Sequence, residues 1–130
     1  MANLIGSYSL TFGLSCSFLI IFFSFKNFKS SNPFDNKVIS FVFIQFFFVI
    51  ISFFSLITSF VNSDFSNETV FNHSHTTKPL FYKIAGTWGN HEGSLLLWLL
   101  VLTLFLFIFL LKSKQQLKQY RILTLIFQQI

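Results

Sequence analysis

The stretch Thr87-Trp88-Gly89-Asn90-His91-Glu92-Gly93-Ser94-Leu95-Leu96-Leu97-Trp98 is where a dense polar cluster runs straight into a long apolar segment. A bilayer core disfavours ionisable groups by several kcal/mol, so His91 and Glu92 directly ahead of the apolar run 94–111 mark the water-facing end of a membrane-crossing helix. That reading decides the fold class: an all-α integral membrane protein. The run 94–111 reaches about 27 Å against a hydrocarbon core of about 30 Å, and a turn borrowed from the preceding motif brings it to full span.

Working outward, residues 4–25 and 38–61 contain no charged side chain. At about 1.5 Å per residue the first of these covers about 33 Å, enough to cross. Between them, Lys26, Lys29, Asp35 and Lys37 bracket a turn-forming run in which Pro33 biases Asn32 away from helix. The connection is short, so the first two spans are antiparallel neighbours. The expected organisation is a single membrane domain: first span 4–25, inner loop 26–37, second span 38–61, outer loop with a surface helix 62–93, third span 94–111, and an inner tail 112–130 that holds the start of a possible fourth span. Basic residues orient it. Lys26, Lys29 and Lys37 fall in one loop and Lys112, Lys114, Lys118 and Arg121 follow the third span, whereas only Lys78 and Lys83 lie between the second and third. The positive-inside rule therefore places the N-terminus outside and the residues after 111 inside.

The outer segment has two halves. Residues 64–75 are polar without a hydrophobic period and read as loop. From Pro79 onward, Leu80, Phe81, Ile84, Ala85 and Trp88 recur at helical spacing with Lys78 and Lys83 off that stripe, which predicts a short amphipathic helix on the membrane surface with Pro79 in its first turn. After Arg121 the chain turns apolar again for about ten residues, too few to cross unaided.

Composition agrees with this class. Hydrophobic residues make up 53% of the 130 and charged residues 10%, and mean hydropathy is +0.68. The net charge of +5 sits in flanks of apolar spans and not on a soluble basic face, so nucleic acid is excluded as a partner and the lipid bilayer is implied as one. Cys16, the single cysteine, falls inside the first span and reads as a small packing residue, with no disulfide or haem-attachment motif. Met1-Ala2-Asn3 lacks the basic start of a cleavable signal. Twenty-two phenylalanines, with abundant Ile, Leu, Asn and Ser, are what DNA very rich in A and T encodes, pointing to an organelle genome or an AT-rich bacterium.

The polar cluster admits several chemistries. His73, His75, His91 and Glu92 could together hold zinc, although structural zinc ligands usually come at tighter paired spacings. An exposed His91 at a membrane surface could be an axial haem ligand, with Phe81, Trp88 and Trp98 packing on a porphyrin. The plainer reading is a helix start: Glu92 meets the positive end of the helix dipole, and Asn90 or Ser94 satisfies free N–H groups. Trp88 suits an interfacial aromatic belt, and Gln45 a hydrogen bond to a neighbouring helix. Signatures of serine hydrolases, phosphate loops and zinc peptidases are absent.

At this point Trp88-Gly89-Asn90-His91-Glu92-Gly93-Ser94-Leu95-Leu96-Leu97-Trp98 resembles the Trp-Gly-x-His-Glu-Gly-Ser-x-Leu-Leu-Trp segment near the N-terminus of the CcmF-type cytochrome c maturation haem lyases and their NrfE relatives in nitrite reductase assembly. Val61-Asn62-Ser63-Asp64-Phe65-Ser66, His73-Ser74-His75 and Leu80-Phe81-Tyr82-Lys83-Ile84-Ala85 follow the order of that family's first outer loop. The resemblance implies a large polytopic protein that helps attach haem covalently to apocytochrome c on the outer face of an inner membrane. This chain corresponds to its N-terminal portion, as a fragment or split subunit that is not catalytic alone. Implied partners are the remaining portion of the haem lyase, other cytochrome c maturation proteins and apocytochrome c. Haem is the implied cofactor, with Trp88, His91, Glu92 and Trp98 at the outer edge of its site. The implied location is the mitochondrial inner membrane with the His-rich loop facing the intermembrane space, or alternatively a bacterial inner membrane with the loop in the periplasm. The competing expectation is a small structural membrane subunit of a respiratory or transport complex with no haem chemistry.

Overall fold

The computed structural model describes residues 2–29, 36–113 and 117–129. Every regular element among them is an α-helix: α1 (Ala2–Lys29), α2 (Asn36–Val61), α3 (Glu68–His73), α4 (Leu80–Gly86), α5 (His91–Lys112) and α6 (Lys118–Gln129). Three stretches are long and apolar enough to cross a membrane: Ala2–Lys26, Lys37–Val61 and His91–Lys112. The turn expected around Pro33, and Lys114, lie outside the described residues.

The spans carry many serines and threonines, whose hydroxyls in hydrocarbon need partners. Several find them in their own helix, while Ser52 and Ser55 of α2 donate to the Gly6 and Ala2 carbonyls of α1. Ser9 Oγ donates to the Gly6 carbonyl at 2.8 Å, Thr11 Oγ1 to Tyr8 at 2.8 Å, Ser15 Oγ to Thr11 at 2.9 Å and Thr103 Oγ1 to Leu99 at 3.0 Å. Back-bonding of this kind lets small polar residues sit in a membrane helix at little cost.

α2 is the hub: α1 packs along its length, and α5 and α4 pack against it as well. Lipid is as apolar as leucine, so helices associate in a bilayer by close approach more than by burial of oily surface. α1 supplies that approach with Ser9, Gly13, Cys16, Ile20 and Ser24, buried at intervals of three and four residues. A Cβ on Gly13 would lie 3.8 Å from Val49 Cγ2 of α2, and one on Gly6 only 3.0 Å from Ser55 Oγ.

At the end of the bundle away from the α4–α5 corner an apolar cluster of Ile20, Val38, Val42, Leu106, Leu110 and Leu125 joins α1, α2, α5 and α6, with Phe23, Phe41 and Phe109 against it. Phe23 stacks on Phe41 with ring centres 5.7 Å apart. α6 therefore folds back into the bundle, lying on α1 and touching α5. Its far end is pinned at mid-depth. Gln45 Nε2 donates to Ser17 Oγ at 2.6 Å and to Gln129 Oε1 at 3.0 Å, and Gln129 Nε2 donates back to Gln45 Oε1 at 2.9 Å. Arg121, expected as a solvated flank, is instead buried in this packing.

α2 ends in a left-handed turn. Ser63 has φ 52°, and the Asp64 and Ser63 amides donate back to Ser59 and Phe60 at 2.9 and 3.2 Å. These are the two bonds of a Schellman termination, made here with serine where glycine is usual. Residues 64–75, expected as loop, contain the single-turn helix α3. Its start is fixed by Asn67, whose side chain accepts from the Thr69 amide at 3.0 Å, with Glu68 at the positive end of the dipole and Val70 fully buried. One buried valine and a cap are a weak periodic signal, which is why pattern reading passes over such an element.

Candidate functional site

The polar cluster forms the corner between α4 and α5. Pro79 sits just before α4 as its cap rather than inside the first turn, and its carbonyl accepts from the Tyr82 and Lys83 amides at 3.0 and 3.2 Å. Lys83, expected on the outer polar side, points back to the end of α2 and donates from Nζ to Ser63 Oγ at 2.6 Å. Leu80, Phe81 and Tyr82 are exposed. Gly86 allows α4 to rest on α2: a Cβ there would sit 3.3 Å from the ring of the fully buried Phe60.

Asn90 is the centre of the corner. It is 6% exposed and extended, and it caps α5 by accepting from the Gly93 amide on Oδ1 at 2.6 Å. Its Nδ2 donates to the Gly86 carbonyl at 2.8 Å and to Thr87 at 3.4 Å. A single side chain thus satisfies the last carbonyl of one helix and a first-turn amide of the next. Gly93 is required by this geometry, since a Cβ would fall 1.6 Å from the Thr87 carbonyl oxygen. The span begins at His91, a turn earlier than residue 94, because Asn90 supplies the cap.

This corner separates the residues that the sequence groups together. His91 and Trp98 are seven positions apart on α5 and share one exposed stripe with Leu95, Leu102 and Phe105. Trp98 is 66% exposed and Trp88 43%. Glu92, about 100° further round the helix, leaves that stripe and lines a polar cavity of about 230 Å³ between the start of α1, the end of α2, α3 and the start of α5. His73 and His75 are both exposed; His73 Nδ1 lies 3.0 Å from the Thr69 carbonyl, within its own short helix. Among the described residues no three His, Cys, Asp or Glu side chains come together as a metal-holding group. Asp64 is tied locally: the Ser66 hydroxyl, first, and the Ser66 amide hold its carboxyl below the ordinary value.

Haem needs a slot with an axial ligand and apolar walls. Trp88, His91 and Trp98 lie on an exposed surface, and the cavity beside Glu92 is smaller than the roughly 300 Å³ lower bound usual for ligand pockets. These side chains do not enclose a porphyrin within this chain. Sequence reasoning also missed the serines of that cavity, although Ser52, Ser55 and Ser59 recur at one-face spacing along the second span.

No family model matches the chain. A stretch of 46 residues is 59% identical to the cytochrome c-type biogenesis protein ccl1 of Rhodobacter capsulatus, covering 35% of this chain and 7% of that protein. A stretch of 44 residues is 64% identical to the cytochrome c-type biogenesis protein CycK of Rhizobium meliloti, covering 34% of this chain and 6% of the relative. Over about a third of its length the chain is thus similar to cytochrome c-type biogenesis proteins. The solved cytochrome c heme lyase CcmF superposes over 99% of the chain with a TM-score of 0.85 at 24% identity, and the match takes in 22% of the CcmF structure. The helical arrangement is therefore that of CcmF, over a small part of its length.

Proposed function

We propose that this CcmF-type chain is one part of a membrane haem lyase, its N-terminal portion, and that it supports covalent attachment of haem to apocytochrome c without being catalytic alone. The observation that carries this reading is the agreement of nearly the whole chain with the CcmF fold, together with high local identity to two cytochrome c biogenesis proteins. The match spans only a small part of those relatives' length; in this reading the chain acts with the remaining portion of the lyase, other maturation proteins and apocytochrome c.

In this reading the chain lies in an inner membrane with its N-terminus and the 62–93 segment outside. The A- and T-rich coding signature favours a mitochondrial inner membrane and an intermembrane-space loop. Haem, when bound by the complete assembly, supplies the vinyl groups to which substrate thiols add. The corner held by Asn90 and Gly93 fixes His91 and Trp98 on one outward stripe, with Trp88 beside the turn, as the outer edge of a site that other parts of the assembly complete. Fixing an edge to within fractions of an ångström is what orientation of a large planar substrate demands.

The test is cytochrome c yield in the complete assembly with His91→Ala and Trp98→Ala together. Both side chains are exposed, so the membrane protein should accumulate normally while mature cytochrome c falls severalfold. Unchanged yield at normal protein level overturns the edge role. Co-purification separates the lyase reading from a small structural subunit: the former brings haem-lyase fragments and apocytochrome, the latter an electron-transfer or transport complex.

A further inference from the structure

The cavity beside Glu92 has an unusual hydrogen-bond inventory. Its polar lining is Asn3, Ser7, Ser52, Ser55, Ser59, Asn67, Thr69 and Glu92. The hydroxyl hydrogens of three serines are already committed to backbone carbonyls: Ser7 Oγ donates to Leu4 at 3.0 Å, Ser52 Oγ to Gly6 at 3.1 Å, and Ser55 Oγ to Ala2. The Asn3 amide donates to the Ser66 carbonyl at 3.4 Å, and its oxygen is taken by Asn67 Nδ2 at 3.3 Å. What these serines still offer is lone pairs, and a carboxylate offers nothing else. Ser59 completes the set: it is 1% exposed, and its Oγ has no hydrogen-bond partner. A buried hydroxyl in that state is costly until a partner arrives.

An acceptor-rich cavity with a carboxylate selects a cationic hydrogen-bond donor. The lining residues lie at the start of α1, the end of α2, the start of α3 and the start of α5, the level at which the three spans meet water. One wall, Leu10, is shared with a second, mainly apolar cavity of about 590 Å³, which runs deeper along α1 between Leu14, Phe18, Val49 and Leu99 and reaches the mutually hydrogen-bonded Ser17, Gln45 and Gln129. A polar end above an apolar channel matches a headgroup above an acyl chain.

We propose that the cavity among Ser7, Ser52, Ser55, Ser59 and Glu92 is a receptor for a primary ammonium group, supplied by an aminophospholipid headgroup such as that of phosphatidylethanolamine. The ammonium donates its N–H groups to Glu92 and to the free serine lone pairs, and Ser59 gains the partner that it lacks. Phosphatidylcholine, which carries the same charge and no N–H, cannot make these bonds. The site is independent of haem chemistry.

The test reconstitutes the full chain in nanodiscs of phosphatidylcholine with a minor fraction of phosphatidylethanolamine, and reads the co-released lipid by native mass spectrometry. Ethanolamine lipid should be retained in preference to choline lipid. Glu92→Gln, at an exposed position, should weaken that preference about tenfold, as expected on removing a charge-assisted hydrogen bond, and Ser59→Ala should weaken it by a smaller factor. Ethanolammonium chloride added to pure phosphatidylcholine discs separates the sources: thermal stabilisation that Glu92→Gln abolishes would assign the cavity to free ammonium ions as well as lipid. Equal retention of the two lipids, or a preference that survives Glu92→Gln in folded protein, overturns the proposal.

Discussion

Asn90 and Gly93 hold the corner that His91, Glu92 and the tryptophans decorate, and the two groups should respond oppositely to substitution. Gly93→Ala forces a methyl into the Thr87 carbonyl and should destabilise by about 3 kcal/mol or more, since neither backbone segment can move without breaking the Asn90 bonds. Asn90→Ala removes a cap and strands the Gly86 carbonyl, for about 1–2 kcal/mol. Thermal unfolding in detergent measures both, and a Gly93→Ala variant as stable as the parent would contradict the geometry. Asp64 gives a pH-dependent case. Because its folded value is depressed by Ser66, its contribution to stability is present above the ordinary carboxylate range and is lost as pH falls through the lowered value. Ser66→Ala should raise the Asp64 value toward normal in an NMR titration. The chemistry-bearing residues of the corner were legible in the sequence because polar side chains ahead of an apolar run are conspicuous. The requirement for Gly93 was not, because it arises from a carbonyl six positions upstream that reaches it only after the chain has turned.

Among the elements, α2 and α6 are coupled through one amide pair. Gln45→Leu removes the reciprocal bonds with Gln129 and the bond to Ser17, and should loosen α6 by about 1 kcal/mol, the usual size of such contacts between membrane helices. A spin label on exposed Leu123 should become more mobile in that variant; unchanged mobility would show that the apolar cluster around Leu125 holds α6 unaided. Long uncharged runs announce α1, α2 and α5 unmistakably, because nothing but a span tolerates such lengths without charge. The short elements are harder. α3 rests on one cap and one buried valine, and α6, amphipathic in its own sequence, ends in an apolar run that reads as the start of a further span. Gln45 could be read as an interhelical donor from its position alone, whereas its partners required the fold.

For the whole molecule, membrane topology is the property with the clearest test. With Cys16→Ser as background, cysteines at His75 and Leu117, both exposed, should react with an impermeant maleimide from opposite faces, the former from outside. Labelling of both from one side would overturn the arrangement read from the basic flanks. The assembled cavity of serines and Glu92 belongs to this scale too, since four helices contribute to it and no local pattern contains it. The weld at Asn90 and Gly93 has a mechanical consequence. α5 has 22 residues, about 33 Å of helix, so a thinner bilayer must tilt it. Because the Asn90 side chain bonds both the Gly86 carbonyl at the end of α4 and the Gly93 amide at the start of α5, a change in the tilt of α5 should be passed on to α4.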